Sequence, residues 1–166
     1  MPSTILGLPI HPLIVHAVVV LVPLAALLLV ASAVSSRFRC WARVATPAVA
    51  LGALALVPLA TNSGEGLERR VPPSALVEQH AQLGDTLLPL MLGVSVLALA
   101  LSWLDRRAGR GAGGQRLALV GVSVLAVVVA SGTLVQVVRI GHSGARAVWS
   151  HASVGNAAGS SEGGSR

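Results

Sequence analysis

Histidine is the residue type in this chain best suited to chemistry, and its five copies are unevenly placed. His11 and His16 fall in "HPLIVHAVVV" (11–20), at the mouth of an apolar run; His80 opens another, and His142 and His151 follow the last. A neutral imidazole binds Zn, Cu, Fe and Ni alike, and it serves haem iron as an axial ligand. An ionisable side chain within a membrane-bound segment is costly, so its presence there marks a functional site by default. Glu78 and Asp85 bracket His80 and add carboxylates at its depth, while Arg139 and Arg146 flank His142 and offer cations to an acidic ligand. Other chemistries find little support. The single cysteine, Cys40, excludes an internal disulfide and a CxxC metal site and reads as a bystander thiol. No serine stands in a nucleophile motif beside a histidine and an acid, which argues against a hydrolase. The glycine-rich "AGRGAGGQR" (108–116) lacks the GK[ST] ending of a phosphate-binding loop.

The elements that must position these imidazoles are set by an extreme composition. Hydrophobic residues make up 54% of the 166 and charged residues 11%, with one Phe and no Tyr to fill a soluble core. Apolar stretches at 12–34, 44–61, 81–104 and 117–140 approach or exceed the roughly 20 residues that cross hydrocarbon as a helix, the second being the shortest. Pro12 suits a first helical turn, and Pro23 should kink the first helix. Small residues at four-residue spacing, Ala48 and Gly52 in the second helix and Ala126 and Ala130 in the fourth, predict close helix approach. The expected fold is all-α and integral to the membrane, with four transmembrane helices in an up-down bundle over residues 1–151 and a flexible tail over 152–166.

The net charge of +6 is a matter of topology, not a nucleic-acid footprint. Arg37, Arg39 and Arg43 fill the first connection and Arg106, Arg107, Arg110 and Arg116 the third, which predicts that both connections are cytoplasmic and both termini outside. The absence of lysine and of any aromatic–basic interleaving speaks against nucleic acid as a partner. Trp41 and Trp103 fall at inner helix ends and Trp149 beyond the outer end of the fourth, as interfacial belts do. The first apolar run has its positive charges after it, at Arg37, as in an uncleaved helix inserted N-terminus outward. The loop at 62–79, with two prolines and mixed charge, reads as a polar outward connection without a role in ligand binding.

With the sides assigned from arginine alone, all five histidines fall on the outer one. His11 and His16 would lie about 140° apart around a helix and about 7.5 Å apart along it, so they do not share a face. His11 is expected in the cap and His16 inside the bundle. Gly84, one turn beyond His80, leaves room beside that imidazole.

"GLPIHPLIVH" (7–16), "RRVPPSALVEQHAQLGDTLL" (69–88) and "GHSGARAVWSH" (141–151) resemble the three signatures of a bacterial membrane family catalogued as domain of unknown function 2231. The resemblance covers the chain to about residue 155 and maps the family's histidines onto His11, His16, His80, His142 and His151, with Gly141 and Gly144 in the closing motif. Trp149 stands where the family usually has Tyr, Ala17 and Val18 replace an aromatic and a proline, and "ASVGN" replaces a glycine-rich ending after His151. The resemblance implies a bacterial cytoplasmic (inner) membrane location and an electron-transfer context, but no activity.

Three function classes remain open. The first is a b-type haem protein using His16, His80 or His142 axially, with Arg139 or Arg146 meeting the propionates. The second is a Cu, Zn or Fe site drawn from His11, His16, His80, His142, His151 and Asp85, favoured by a histidine count beyond the needs of one haem. The third is a structural subunit of a larger membrane complex without a cofactor. The lipid bilayer is the expected surrounding, with a redox partner protein or another membrane subunit as further partners.

Overall fold

The computed structural model describes the backbone of residues 4–5, 8–69, 74–108 and 113–161, and side chains within 13–66, 69, 74–107 and 114–146. A short antiparallel hairpin, β1 (Thr4–Ile5) and β2 (Leu8–Pro9), pairs Thr4 with Pro9 and Ile5 with Leu8. Helices follow: α1 (Ile10–Val34), α2 (Ser36–Trp41), α3 (Ala45–Glu68), α4 (Ala75–Asp85), α5 (Leu87–Ala108) and α6 (Gly113–Ser161).

Four spans are long and apolar enough to cross a membrane: Leu13–Val34, Ala45–Gly66, Ala75–Arg107 and Gly114–Arg146. The second has the lowest mean hydropathy, 1.4, matching its weaker apolar run in the sequence. Spans one to four form the expected up-down bundle. α1 packs on α3 and α6, α5 packs on the same two helices, and α1 and α5 sit on a diagonal with little contact. An even number of crossings places both termini on one side.

The packing faces follow helical period. In α1, Val18, Val22, Ala25, Leu29 and Ser32 are buried; in α3, Thr46, Ala50, Ala53 and Val57; in α5, Leu87, Met91, Val94, Ala98 and Leu101. The opposite faces expose Val20, Leu24, Leu27, Leu92, Val96, Leu99, Val124, Val128 and Val135, the inverse of a soluble protein and the proper surface for lipid. Of the two small-residue pairs, Ala126 and Ala130 are fully buried. Ala48 and Gly52 instead face outward, and a Cβ on Gly52 would meet nothing within 4 Å. Spacing identified a small stripe on α3, but the face that packs, Ala50 and Ala53, is rotated from it. Gly93 permits the close approach of α5 to α6, where a Cβ would lie 3.3 Å from Val129 Cγ1.

Inside the bundle, side-chain hydroxyls find partners, as burial in lipid demands. Ser32 Oγ and Thr46 Oγ1 are 3.0 Å apart across α1 and α3, and Ser95 Oγ donates to Ala50 O at 3.2 Å across α5 and α3. The third span is interrupted at Thr86. Pro89 lacks an N–H and its ring crowds the carbonyl four residues back, at Asp85, so α4 ends there and α5 restarts at Leu87. Gln136, buried on α6, bridges the break by donating to Leu83 O (3.1 Å) and Thr86 Oγ1 (2.6 Å).

The connections hold more helix than the sequence reading gave them: residues 62–79, read as a loop, are helical to Glu68 and again from Ala75. The first connection contains a helical turn, α2, because Ser35 caps it: its Oγ accepts from the Phe38 N–H at 3.2 Å. α6 continues to Ser161, past the boundary read at 151, and the segment between holds no proline to stop it.

Candidate functional site

His80 is carried by α4, and local sequence explains why that helix starts where it does. Ser74 caps it, its Oγ accepting from the Val77 N–H at 3.3 Å. Glu78 in the first turn complements the helix dipole. α4 packs against α6 and α3. That contact brings "GHSG" of α6 beside His80, although 63 residues separate them in the chain. His80 Nδ1 lies 3.0 Å from Ser143 Oγ.

Ser143 Oγ also lies 2.9 Å from Ile140 O. With its proton on that carbonyl, the hydroxyl accepts from a His80 Nδ1–H and Nε2 carries the lone pair; with its proton on Nδ1, the other tautomer holds. Among the described residues Nε2 has no hydrogen-bond partner. Gly144 completes the seat: a Cβ there would stand 3.0 Å from His80 Cε1 and 3.3 Å from Nδ1. The ring therefore rests directly on the α6 backbone. Gly84, expected to leave room beside the imidazole, has open space at its Cβ position.

The other candidates take separate positions. His142 precedes Ser143 and is exposed, sharing one outward face of α6 with Arg139 and Arg146, also exposed. Asp85 and Glu78 are exposed on α4. His16, expected inside the bundle, is instead exposed near the start of α1 and has a contact of its own. The side chains of His11 and His151 lie outside the described residues, as does that of Trp149. Among the described residues, no three of His, Cys, Asp and Glu gather closely enough to hold a metal ion. Helix lengths set the depth. The spans carrying His80 and Ser143 are 33 residues each, about 50 Å, against about 30 Å of hydrocarbon. The His80–Ser143 contact lies near one end of both spans and not at their middle.

The opposite end holds what sequence reading missed. Arg39, read as one of several topology-setting cations, is buried. Its Nε donates to Asp105 Oδ1 at 3.0 Å and its Nη1 to Ser32 O at 2.6 Å. Ser102 Oγ lies 3.0 Å from Arg43 O and 2.9 Å from Ala98 O. Asp105 is the only acid in that part of the chain, and this isolation was the available signal. For Ser143 the signal was its place inside the closing motif.

Residues 7–158 match the family model described as predicted membrane protein, DUF2231. No curated protein and no solved structure matches the chain.

Proposed function

This chain belongs to the DUF2231 family of predicted membrane proteins, and from its own residues we propose that it is a membrane-embedded haem protein of electron transfer, with His80 Nε2 as an axial ligand. One observation carries the reading: His80 Nδ1 sits 3.0 Å from Ser143 Oγ, itself 2.9 Å from Ile140 O, and in this reading Nδ1–H donates to Ser143 and Nε2 is the ligating atom. Ligating histidines characteristically donate their other N–H to a fixed acceptor, which sets the tautomer and raises ligand basicity. The four helices supply the scaffold on which b-type haem is commonly held.

The choice between haem and a bare ion turns on ligand number. A bare transition ion asks the protein for three or four ligands, whereas haem iron takes four nitrogens from its porphyrin and asks for one or two. The described residues offer single imidazoles rather than clusters. His16 is the second ligand in this reading because it too falls at the outer end of its span; α1 and α4 are not a packed pair. Arg139 and Arg146, exposed on one face around His142, are the cations for the propionates. Haem b, when bound, supplies one-electron chemistry, and the chain's residues orient its ligand and balance its charge. A redox partner protein or membrane subunit then delivers or accepts the electron at the histidine end. On the arginine bias that end is extracytoplasmic, in the inner membrane of a bacterium. The histidine count keeps a second reading alongside, a Cu, Zn or Fe site completed by His11 or His151.

The absorption spectrum of purified protein, oxidised and dithionite-reduced, tests the proposal. A Soret band with sharpened α and β bands on reduction is expected, lost in His80→Ala and in His16→Ala. A spectrum without haem but with stoichiometric metal passes the site to the second reading. Absence of both leaves a structural subunit, and unchanged bands in both variants remove these histidines as ligands.

A further inference from the structure

We infer that a groove at the arginine end, between the start of α3 and the end of α5, binds one anionic phospholipid. The groove has a volume of about 420 Å³ and is lined by Pro47, Leu99, Ala100, Ser102, Trp103 and Arg106. Its wall grades from apolar to cationic along α5. Leu92, Val96, Leu99 and Trp103 are exposed at spacings of four, three and four, one continuous stripe on the lipid-facing side, and Arg106 follows at the mouth. An acyl chain fits that stripe, and a phosphate fits its end.

The charge around the mouth is uncompensated. Asp105 is the one acid at this level, and it is turned inward onto Arg39. Arg43 and Arg106 are exposed and have no ion-pair partner among the described residues. Arg107 lies over the Trp103 ring, 3.9 Å from its centroid, which fixes the indole and holds a further cation beside the groove. Basic recesses between transmembrane helices at the headgroup level recruit anionic lipids in this way. A second copy of the chain is a poor occupant, because its exposed acids Glu65, Glu78 and Asp85 belong to the opposite end. A zwitterionic lipid brings its own cation to a place that already has too many.

The test is native mass spectrometry of the full-length protein in mild detergent, titrated with phosphatidylglycerol or phosphatidylcholine of the same chain length. One phosphatidylglycerol is expected to be retained, with phosphatidylcholine about tenfold weaker. Arg106→Gln should weaken phosphatidylglycerol by about fivefold, as the loss of one cation near an anionic headgroup implies. Arg69→Gln, the same charge change at the other end, should leave it unaltered. Equal retention of the two lipids, or undiminished binding by Arg106→Gln at unchanged helicity, overturns the inference. Binding of inorganic phosphate alone with comparable affinity also overturns it, in favour of a soluble anion.

Discussion

The two ends of the bundle carry polar groups of opposite character. At the arginine end, Arg39, Asp105, Ser32, Thr46 and Ser102 satisfy one another and nearby carbonyls within a buried network that ties α1, α2, α3 and α5 together. At the histidine end, Ser143 Oγ meets His80 Nδ1, and Nε2 has no partner among the described residues. Polar residues that consume one another hold a structure together, whereas Nε2 is the atom our proposal gives to a ligand.

The broadest way to break this comparison is to ask which side each end faces. Cys40 is exposed on α2, at the arginine end. It should resist a membrane-impermeant thiol reagent in intact cells and react fully after lysis. Labelling in intact cells reverses the orientation and puts the histidine end in the cytoplasm.

The next effect is on stability. Asp105→Asn leaves the Arg39 guanidinium, 8% exposed, without its counter-ion. Removing one partner of a buried pair costs about 3–5 kcal/mol, reduced here to about 2–3 because Asp105 is 20% exposed. The thermal midpoint in detergent should fall accordingly, while any bound cofactor in the folded fraction keeps its spectrum. An unchanged midpoint means that Arg39 reaches lipid headgroups on its own.

The smallest effect sharpens the other end. Gly144→Ala places a methyl 3.0 Å from His80 Cε1 and should tilt the ring away from Ser143. Stability should change little, but cofactor affinity should fall about tenfold, the low end of what loss of an orienting contact costs. Ser143→Ala, which removes the hydroxyl and no space, should match it. Full affinity in both variants means the Ser143 contact orients nothing of consequence.

Much of this was legible in the residues. The four spans, their alternation, and the placement of every histidine at one end follow from apolar runs and charge, which are local properties. The interruption of the third span at Thr86 was also encoded, by Pro89, although the apolar run at 81–104 looks unbroken by hydropathy. What escaped was direction around each helix axis. Ala48 and Gly52 have the spacing of a packing face and lie on the outer one. Arg39 has the appearance of a loop cation and points inward to an acid 66 residues away. Helical period says which residues share a face, but in lipid the outer face is as apolar as the inner, so hydropathy carries little information about which face packs.

The sequence by itself therefore determined the membrane, the four crossings and the end of the spans at which the histidines fall, because each depends on transfer free energies summed over a segment. The tertiary structure alone decided that His80 meets Ser143 and not another histidine, that Nδ1 is the ring nitrogen in contact, and that Asp105 neutralises Arg39 while Arg43 and Arg106 stay exposed. Those outcomes depend on rotations and offsets between helices of a few ångströms. They are set by which small residues, Ala126, Ala130, Gly93 and Gly144, let the helices approach. No single segment contains that information, since each contact is made by two.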